Sequence, residues 1–260
     1  MYRLDRTKGK SDGVSRVAVV TGGASGVGLS IAQHLVRQGH RVALLDLNAE
    51  AAEQAAGDLR AEGGRASAGR VDVSDRASVD ASFDRVRREL GPIEILVTSA
   101  AVAGFVPFEE ITLDDWNRTM TVNLTGTFHC LQAAIPDMVA AGWGRIVTIS
   151  SAAGQIGSPR QAHYSASKGG VIALTKTLAL EYAAKGITVN TIPPFAVDTP
   201  LLRAAQDAKQ LASSDVVARM IPARRLGSGD DIAAMCAFLC SDAASYITGQ
   251  VIAVNGGAVM

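Results

Sequence analysis

Net charge is absent from this chain: 25 lysines and arginines stand against 25 aspartates and glutamates over 260 residues. That excludes a strongly basic nucleic-acid binder and an acidic solvating tail. Cysteine is scarce, with only Cys130, Cys236 and Cys240, too few and too unevenly spaced for a disulfide framework. Cys236 and Cys240 share one helical face, and no histidine or carboxylate cluster beside them completes a metal site. They read as small buried apolar residues in a reducing compartment. No window approaches 18 consecutive apolar residues, which excludes a membrane-spanning helix. Residues 1–16 are polar and lack the apolar core of a signal peptide. These absences predict a cytoplasmic protein with no metal, membrane or nucleic-acid partner, and residues 1–15 as a flexible tail. What is present is apolar: 48% hydrophobic against 19% charged, with 26 glycines. A large core and many tight turns follow.

Short apolar runs alternate with long amphipathic segments. The runs cover 16–21, 41–46, 67–72, 94–98, 145–150, 188–192 and 250–254. Most are almost continuously apolar, as strands buried on both faces should be. Val27, Ile31 and Leu35 fall on one helical face after the first run. Val79, Phe83, Val86 and Leu90 do so after the third, and Gly91-Pro92 then stops that helix. Segments 113–140, 165–185 and 229–240 also read as helices. The alternation predicts an α/β fold: a doubly wound parallel sheet of seven strands in a single domain over 16–260. The stretch 197–221 breaks the alternation after a strand's C-terminal end, where ligands bind in such sheets. It reads as a lid or as a surface helical excursion.

The first strand enters Thr21-Gly22-Gly23-Ala24-Ser25-Gly26-Val27-Gly28, and a helix follows. Glycines let the backbone approach a pyrophosphate, and the helix start offers free N–H groups with partial positive charge. The spacing is G-x-x-x-G-x-G rather than the generic dinucleotide pattern, so the strand–loop–helix context carries the signal. Asp46 ends the second strand, 18 residues beyond Gly28. A carboxylate there accepts hydrogen bonds from both adenosine ribose hydroxyls and repels a 2′-phosphate. With no Lys or Arg in the loop, NAD is expected over NADP. Asp72-Val73 closes the third strand, where the carboxylate either meets the adenine amino group or caps a helix.

Tyr164 and Lys168 stand four apart at the start of a helical pattern, one turn apart on one face. Ser151 lies 13 residues before Tyr164, at a strand end, and Asn123 lies inside the 113–140 segment. With the Thr21–Gly28 loop, Tyr164-Ser165-Ala166-Ser167-Lys168 and the ending Ile247-Thr248-Gly249-Gln250 … Asn255-Gly256-Gly257, the chain resembles the single-domain branch of the short-chain dehydrogenase/reductases. The likeness runs from about residue 15 to the C-terminus and is strongest to 3-oxoacyl-thioester reductases. It implies a Rossmann-like fold and an NAD-dependent interconversion of a secondary alcohol and a ketone. The catalytic set it implies is Asn123, Ser151, Tyr164 and Lys168. Asn123 would kink its helix and keep a water beside Lys168.

The chemistry suits these residue types. Hydride delivery to a carbonyl leaves an oxyanion that must receive a proton. Tyrosine can give it, but its ordinary pKa is about 10, so neutral operation asks for a downward shift of about 3 units, roughly 4 kcal/mol. An ammonium about 4 Å away at an effective dielectric near 20 supplies on the order of 4 kcal/mol. Ser151 would hold the substrate oxygen in line.

By the same resemblance the dinucleotide meets Gly22, Ser25, Gly26, Val27 and Gly28 at its phosphates. Asp46, Leu47, Asp72 and Val73 would meet the adenosine, and Ser99, Ala100 and Ala101 the riboses. Tyr164, Lys168, Pro194, Val197 and Thr199 would line the nicotinamide end. Two departures stand out. The family's Asn-Asn-Ala-Gly reads Thr98-Ser99-Ala100-Ala101 here, with Thr98 expected to brace the sheet through its hydroxyl. The family's Pro-Gly reads Pro194-Phe195. Phe195 either forms an apolar wall of the substrate pocket or packs beneath the lid. Ser151, Ala153, Gln155, Tyr164, Phe195 and Leu201 would line that pocket, with Ala101, Val102 and Leu202. Gln155 contacts substrate or merely closes a turn, and His163 reads as a rim or surface residue. The resemblance also implies a homotetramer, with a dimer next. The competing reading is a dinucleotide-binding regulator or scaffold with little turnover.

Overall fold

Side chains along a strand point alternately to opposite faces, so an apolar strand must be covered on both sides. In β1 (Val17–Thr21), Ala18 and Val20 join one buried cluster while Val17 and Val19 join the other. In the computed structural model, which describes residues 14–260, five further strands extend this pattern: β2 (Arg41–Asp46), β3 (Arg65–Arg70), β4 (Ile95–Thr98), β5 (Gly144–Ile149) and β6 (Ile187–Ile192). The sheet order is β3-β2-β1-β4-β5-β6, with every pairing parallel. Of the tail expected over 1–15, all but Val14 and Ser15 lies outside the described residues.

Ten helices connect the strands or follow them: α1 (Gly26–Arg37), α2 (Ala49–Ala61), α3 (Arg76–Leu90), α4 (Leu113–Met120), α5 (Gly126–Ala141), α6 (Ala153–Ile156), α7 (Ala162–Tyr182), α8 (Pro200–Asp207), α9 (Ser214–Met220) and α10 (Gly229–Leu239). Ile31 and Leu35 of α1, the alanines of α2, and Ile232 and Cys236 of α10 cover one face of the sheet. Val79, Phe83 and Val86 of α3 and Cys130, Ala134 and Met138 of α5 cover the other. The three cysteines are free and buried. Burial pushes the Cys130 thiol up to about 12, so it stays an inert apolar filler. Among the described residues no cluster of candidate ligands could hold a metal ion, and no helix is long and apolar enough to cross a membrane.

Contact between α1 and α10 joins the two ends of the chain. A Cβ at Gly229 would lie 2.1 Å from Ser30 Oγ, so only glycine lets the helices approach this closely. His34 Nε2 meets Asp230 Oδ1 at 3.0 Å beside it.

The fold departs from the expected seven strands. The segment 250–254 touches β6 through one bridge, Thr191 to Val251. Side chains take over the pairing around it: Asn190 Nδ2 donates to Ile247 O and its Oδ1 accepts from Gln250 N. Thr248 Oγ1 accepts from Val189 N. The single helix expected over 113–140 is two helices joined by a π-turn at Thr121–Thr125. The 197–221 stretch holds the short helices α8 and α9.

At the N-terminal edge of the sheet, the Arg16 and Arg145 guanidinium carbons lie 4.1 and 4.4 Å from the Trp143 ring centroid. Arg16 also pairs with Glu94 at 2.6 Å, and its backbone N–H donates to His40 Nδ1 at 3.2 Å. Burial, then the Arg16 charge, pulls the His40 pKa below its ordinary 6.5. The fold therefore favours neutral His40. That contribution is complete above pH 6.5 and is lost as pH falls from 6.5 through the lowered folded value. Melting temperature should drop over that interval, and His40→Asn should flatten that part of the profile in a thermal melt series.

Candidate active site

The C-terminal ends of the parallel strands converge, and the expected residues gather there. At the end of β1, Gly22 adopts φ +66°, and a Cβ on it would lie 2.8 Å from Ala100 N. A Cβ on Gly28 would sit 2.1 Å from Gly22 O. The loop is therefore folded too tightly for any other residue at either place, and it lies against the Ser99-Ala100 backbone. Ser99 N also donates to Thr21 O.

The start of α1 is open. Ser25 occupies its N-cap position with extended backbone, yet its side chain makes no capping bond and the first turn holds no acid. By contrast α2, α3, α4 and α10 are each capped by a side chain: Asn48, Asp75, Thr112 and Ser228. Uncapped N–H groups carrying the positive end of the helix dipole suit a pyrophosphate. Asp46 stands next to them. Its Oδ2 accepts from Ala24 N at 3.1 Å and its Oδ1 from Asn48 N at 3.0 Å, which fixes the carboxylate at the loop's flank. Exposed Leu47 follows it. The residues present thus fit a dinucleotide.

Asp72 turns inward on its own loop. Its Oδ1 accepts from Ser74 N and Ser74 Oγ at 3.0 and 2.5 Å, while Asp75, not Asp72, caps α3. Val73 is buried, and its carbonyl lies 3.0 Å from His129 Nδ1. Thr199 caps α8 through Leu202 N and lies across from the glycine loop, with its Cβ 3.5 Å from where a Cβ on Gly26 would stand. Val197 is buried and bridged to Gly227. Pro194 O accepts from Ala152 N at 2.9 Å, which ties the Pro194-Phe195 turn to the segment after β5.

Ser151 heads that segment. Its Oγ accepts from Ala153 N at 3.2 Å, and it also faces the Tyr164 phenol. Burial raises the Tyr164 pKa above its ordinary value, and Ser151 beside the phenol works against the rise. Lys168 is only 3% exposed. Its Nζ donates to Ile149 O at 2.8 Å and lies 5.8 Å from the Tyr164 ring centroid. Burial lowers its pKa to about 8, so the ammonium predominates at neutral pH and is lost above pH 8. The large downward shift expected for tyrosine is therefore not built into the protein's own groups.

Asn123 is fully buried at the centre of the π-turn. Its Oδ1 accepts from Val102 N at 2.8 Å, and its Nδ2 donates to Val102 O at 2.9 Å and Ser167 Oγ at 3.1 Å. The π-turn puts one extra residue in the helix at the place where a kink was expected. The clamp on Val102 was not legible, because nothing in sequence spacing links residues 102 and 123.

Other expectations need correction. His163 is 2% exposed, not a rim or surface residue, and its Nδ1 has no hydrogen-bond partner among the described residues. It packs under the loop after β4, with Nε2 3.4 Å from where a Cβ on Gly104 would stand. Thr98 does not brace the sheet by hydroxyl: its Oγ1 is buried without a hydrogen-bond partner among the described residues. A buried orphan hydroxyl costs about 1–3 kcal/mol. Thr98→Val, nearly isosteric, should stabilise the fold by about 1 kcal/mol, raising Tm by ~3 °C in a thermal melt. Phe195 is 38% exposed and Leu201 49%. Gln155 is exposed, and its side chain has no hydrogen bond among the described residues.

A family model described as enoyl-(acyl carrier protein) reductase matches residues 22–259. D-threitol dehydrogenase of Mycolicibacterium smegmatis is 43% identical over 93% of this chain and 92% of its own length. Cis-4-hydroxycyclohexanecarboxylate dehydrogenase of Sinomonas cyclohexanicum is 42% identical over 93% and 96%. The 3-oxoacyl-[acyl-carrier-protein] reductase of Salmonella typhimurium is 36% identical over 94% and 98%. Among solved structures, an actinorhodin polyketide ketoreductase variant with NADPH superposes at TM-score 0.91 and 33% identity, covering 94% of this chain and 97% of that one. A Rossmann-like sheet with a dinucleotide cradle at its C-terminal edge defines the class, a nicotinamide-dependent oxidoreductase. The chain belongs to the short-chain dehydrogenase/reductase family.

Proposed function

We propose that this protein interconverts a secondary alcohol and a ketone with NAD, with Tyr164 as general acid/base. One observation carries the reading: Tyr164, Ser151 and buried Lys168 meet at the end of β5, on the same sheet edge as the uncapped start of α1 and Asp46. The dinucleotide, when bound, supplies the hydride acceptor and a positive charge near the phenol. Gly22, Ser25, Gly26, Val27 and Gly28 cradle its phosphates, and Asp46 takes the adenosine ribose. Leu47, Asp72 and Val73 flank the adenosine, Ser99, Ala100 and Ala101 the riboses, and Pro194, Val197 and Thr199 the nicotinamide.

Ser151 holds the substrate oxygen toward the phenol. Tyr164 takes the alcohol proton during oxidation and returns it during reduction. The Lys168 ammonium favours the phenolate without contacting substrate, and Asn123 links the site to solvent. Ala153, Gln155, Phe195 and Leu201 border the substrate, and 197–221 closes over it. A mostly apolar border suits a bulky apolar alcohol such as a steroid or an alicyclic ring, or a 3-oxoacyl/3-hydroxyacyl thioester. The dehydrogenase acting on a hydroxycyclohexane ring, at 42% identity, supports the ring. The 3-oxoacyl reductase supports the thioester. We take the protein to be cytoplasmic and a homotetramer, with exposed Leu180, Tyr246 and Met260 as apolar contact points.

The test follows reduced-cofactor absorbance with NAD and NADP separately over steroid alcohols, alicyclic alcohols and hydroxyacyl thioesters. Turnover with NAD on one class supports the reading and selects the substrate. Absence of turnover on the whole panel overturns it in favour of a dinucleotide-binding scaffold.

A further inference from the structure

The first turn of α7 carries Tyr164, yet that helix begins without a side-chain cap. Gln161 stands at the cap position with φ −131° and ψ 36° and makes no capping bond. A terminal turn left this way frays readily. Among the described residues, one side chain binds the backbone of this turn: Ser167 Oγ donates to Tyr164 O at 2.7 Å. Ser167 is fully buried, and the same oxygen accepts from Asn123 Nδ2. The two remaining polar bonds of the Asn123 side chain go to the Val102 backbone.

The result is an unbroken line from Val102, through the Asn123 amide and the Ser167 hydroxyl, to the Tyr164 carbonyl. Three more contacts run in parallel with it. His163, one turn before Ser167 on the same helical face, lies against Gly104. Val106 N donates to Arg160 O at 2.8 Å, and the Arg160 guanidinium donates to Phe105 O at 3.3 Å. The loop 101–107 and the start of α7 are thus fastened together at several points.

We propose that Ser167 is a positioning residue, which locks the otherwise uncapped first turn of α7 to the 101–107 loop and so fixes the Tyr164 hydroxyl relative to Ser151. The inference rests on the reading of Tyr164 as the acid/base. Ser167 does not touch the reacting atoms; it acts through the backbone of Tyr164. Misplacing a reacting group by about 1 Å costs on the order of 100-fold in rate, so a loosened turn acts on the chemical step rather than on cofactor binding.

The experiment compares Ser167→Ala, Ser167→Thr and Thr175→Ala in steady-state kinetics and thermal melts. Thr175 is the control: it is equally buried on α7, and its Oγ1 donates to Val171 O at 2.9 Å, far from the first turn. Both alanine variants should melt earlier. Only Ser167→Ala should lose kcat, by about tenfold or more, with KM for the dinucleotide unchanged. Ser167→Thr keeps the hydroxyl and should stay within about twofold of wild type. If Ser167→Ala does not fold, Ser167→Cys, with a weaker donor of similar size, should lower kcat in the same sense. A wild-type kcat in Ser167→Ala, an equal loss in Thr175→Ala, or no rescue by threonine overturns the inference alone. An inactive wild type overturns the reading of Tyr164 first, and this inference with it.

Discussion

Tyr164→Phe should lower kcat by about 1,000-fold while dinucleotide binding, followed by quenching of protein fluorescence, is preserved. General acid/base catalysis contributes roughly 100- to 10,000-fold. The phenol lies beside Ser151. Phenylalanine keeps the ring that packs beside Lys168 and removes only the proton carrier. The pH profile adds a second handle. Burial holds Tyr164 above its ordinary pKa and Lys168 at about 8. With these protein groups alone Lys168 discharges above pH 8, before the phenol ionises, so oxidation should lose its electrostatic support and slow above pH 8. A variant retaining a tenth of wild-type kcat would remove Tyr164 from the acid/base role.

Replacing Asp46 should reverse cofactor preference. In Asp46→Ser, kcat/KM with NAD should fall by about 10- to 100-fold, the range expected for losing hydrogen bonds to a charged group. Use of NADP should rise, because the carboxylate no longer repels a 2′-phosphate. Arg70 offers a cation for that phosphate. It is the register partner of Asp46 on β3, roughly 5 Å away across the strand pair, and forms no ion pair among the described residues. A modest loss of stability accompanies the change, since Asp46 also accepts from Ala24 N and Asn48 N. Parallel assays with the two dinucleotides decide the matter. Unchanged preference would mean that selectivity resides elsewhere in the cradle.

The sheet was legible because strands buried on both faces leave uninterrupted apolar runs, and six of the seven expected runs are strands. The exception, 250–254, is as apolar as the others. Its pairing is diverted by the Asn190 and Thr248 side chains, and a polar side chain's choice of partner leaves no periodic trace. The π-turn was hidden for a related reason: one extra residue shifts the helical phase without changing composition. The glycine loop, Asp46 and the Tyr164–Lys168 spacing were legible because each is a local geometric demand. The line from Val102 to Ser167 was not, since it joins residues far apart in sequence. A serine three positions after the tyrosine was its only visible sign. Thr98 shows the reverse limit: its hydroxyl was a reasonable brace by type, and only the surrounding atoms reveal that nothing answers it.

The packing of α10 on α1 has a consequence during synthesis. The flank of α1 that carries Ser30 meets α10 at Gly229, and that helix is encoded about 200 residues later. At roughly 5–20 residues per second, that surface waits on the order of 10–40 s on the ribosome before its partner emerges. The nascent chain therefore carries a sticky half-finished layer for most of its translation, a natural client for holding chaperones. A stop codon just before Gly229 would leave a product with β1 to β6 all encoded, yet with the flank of its first helix at Ser30 left without its partner.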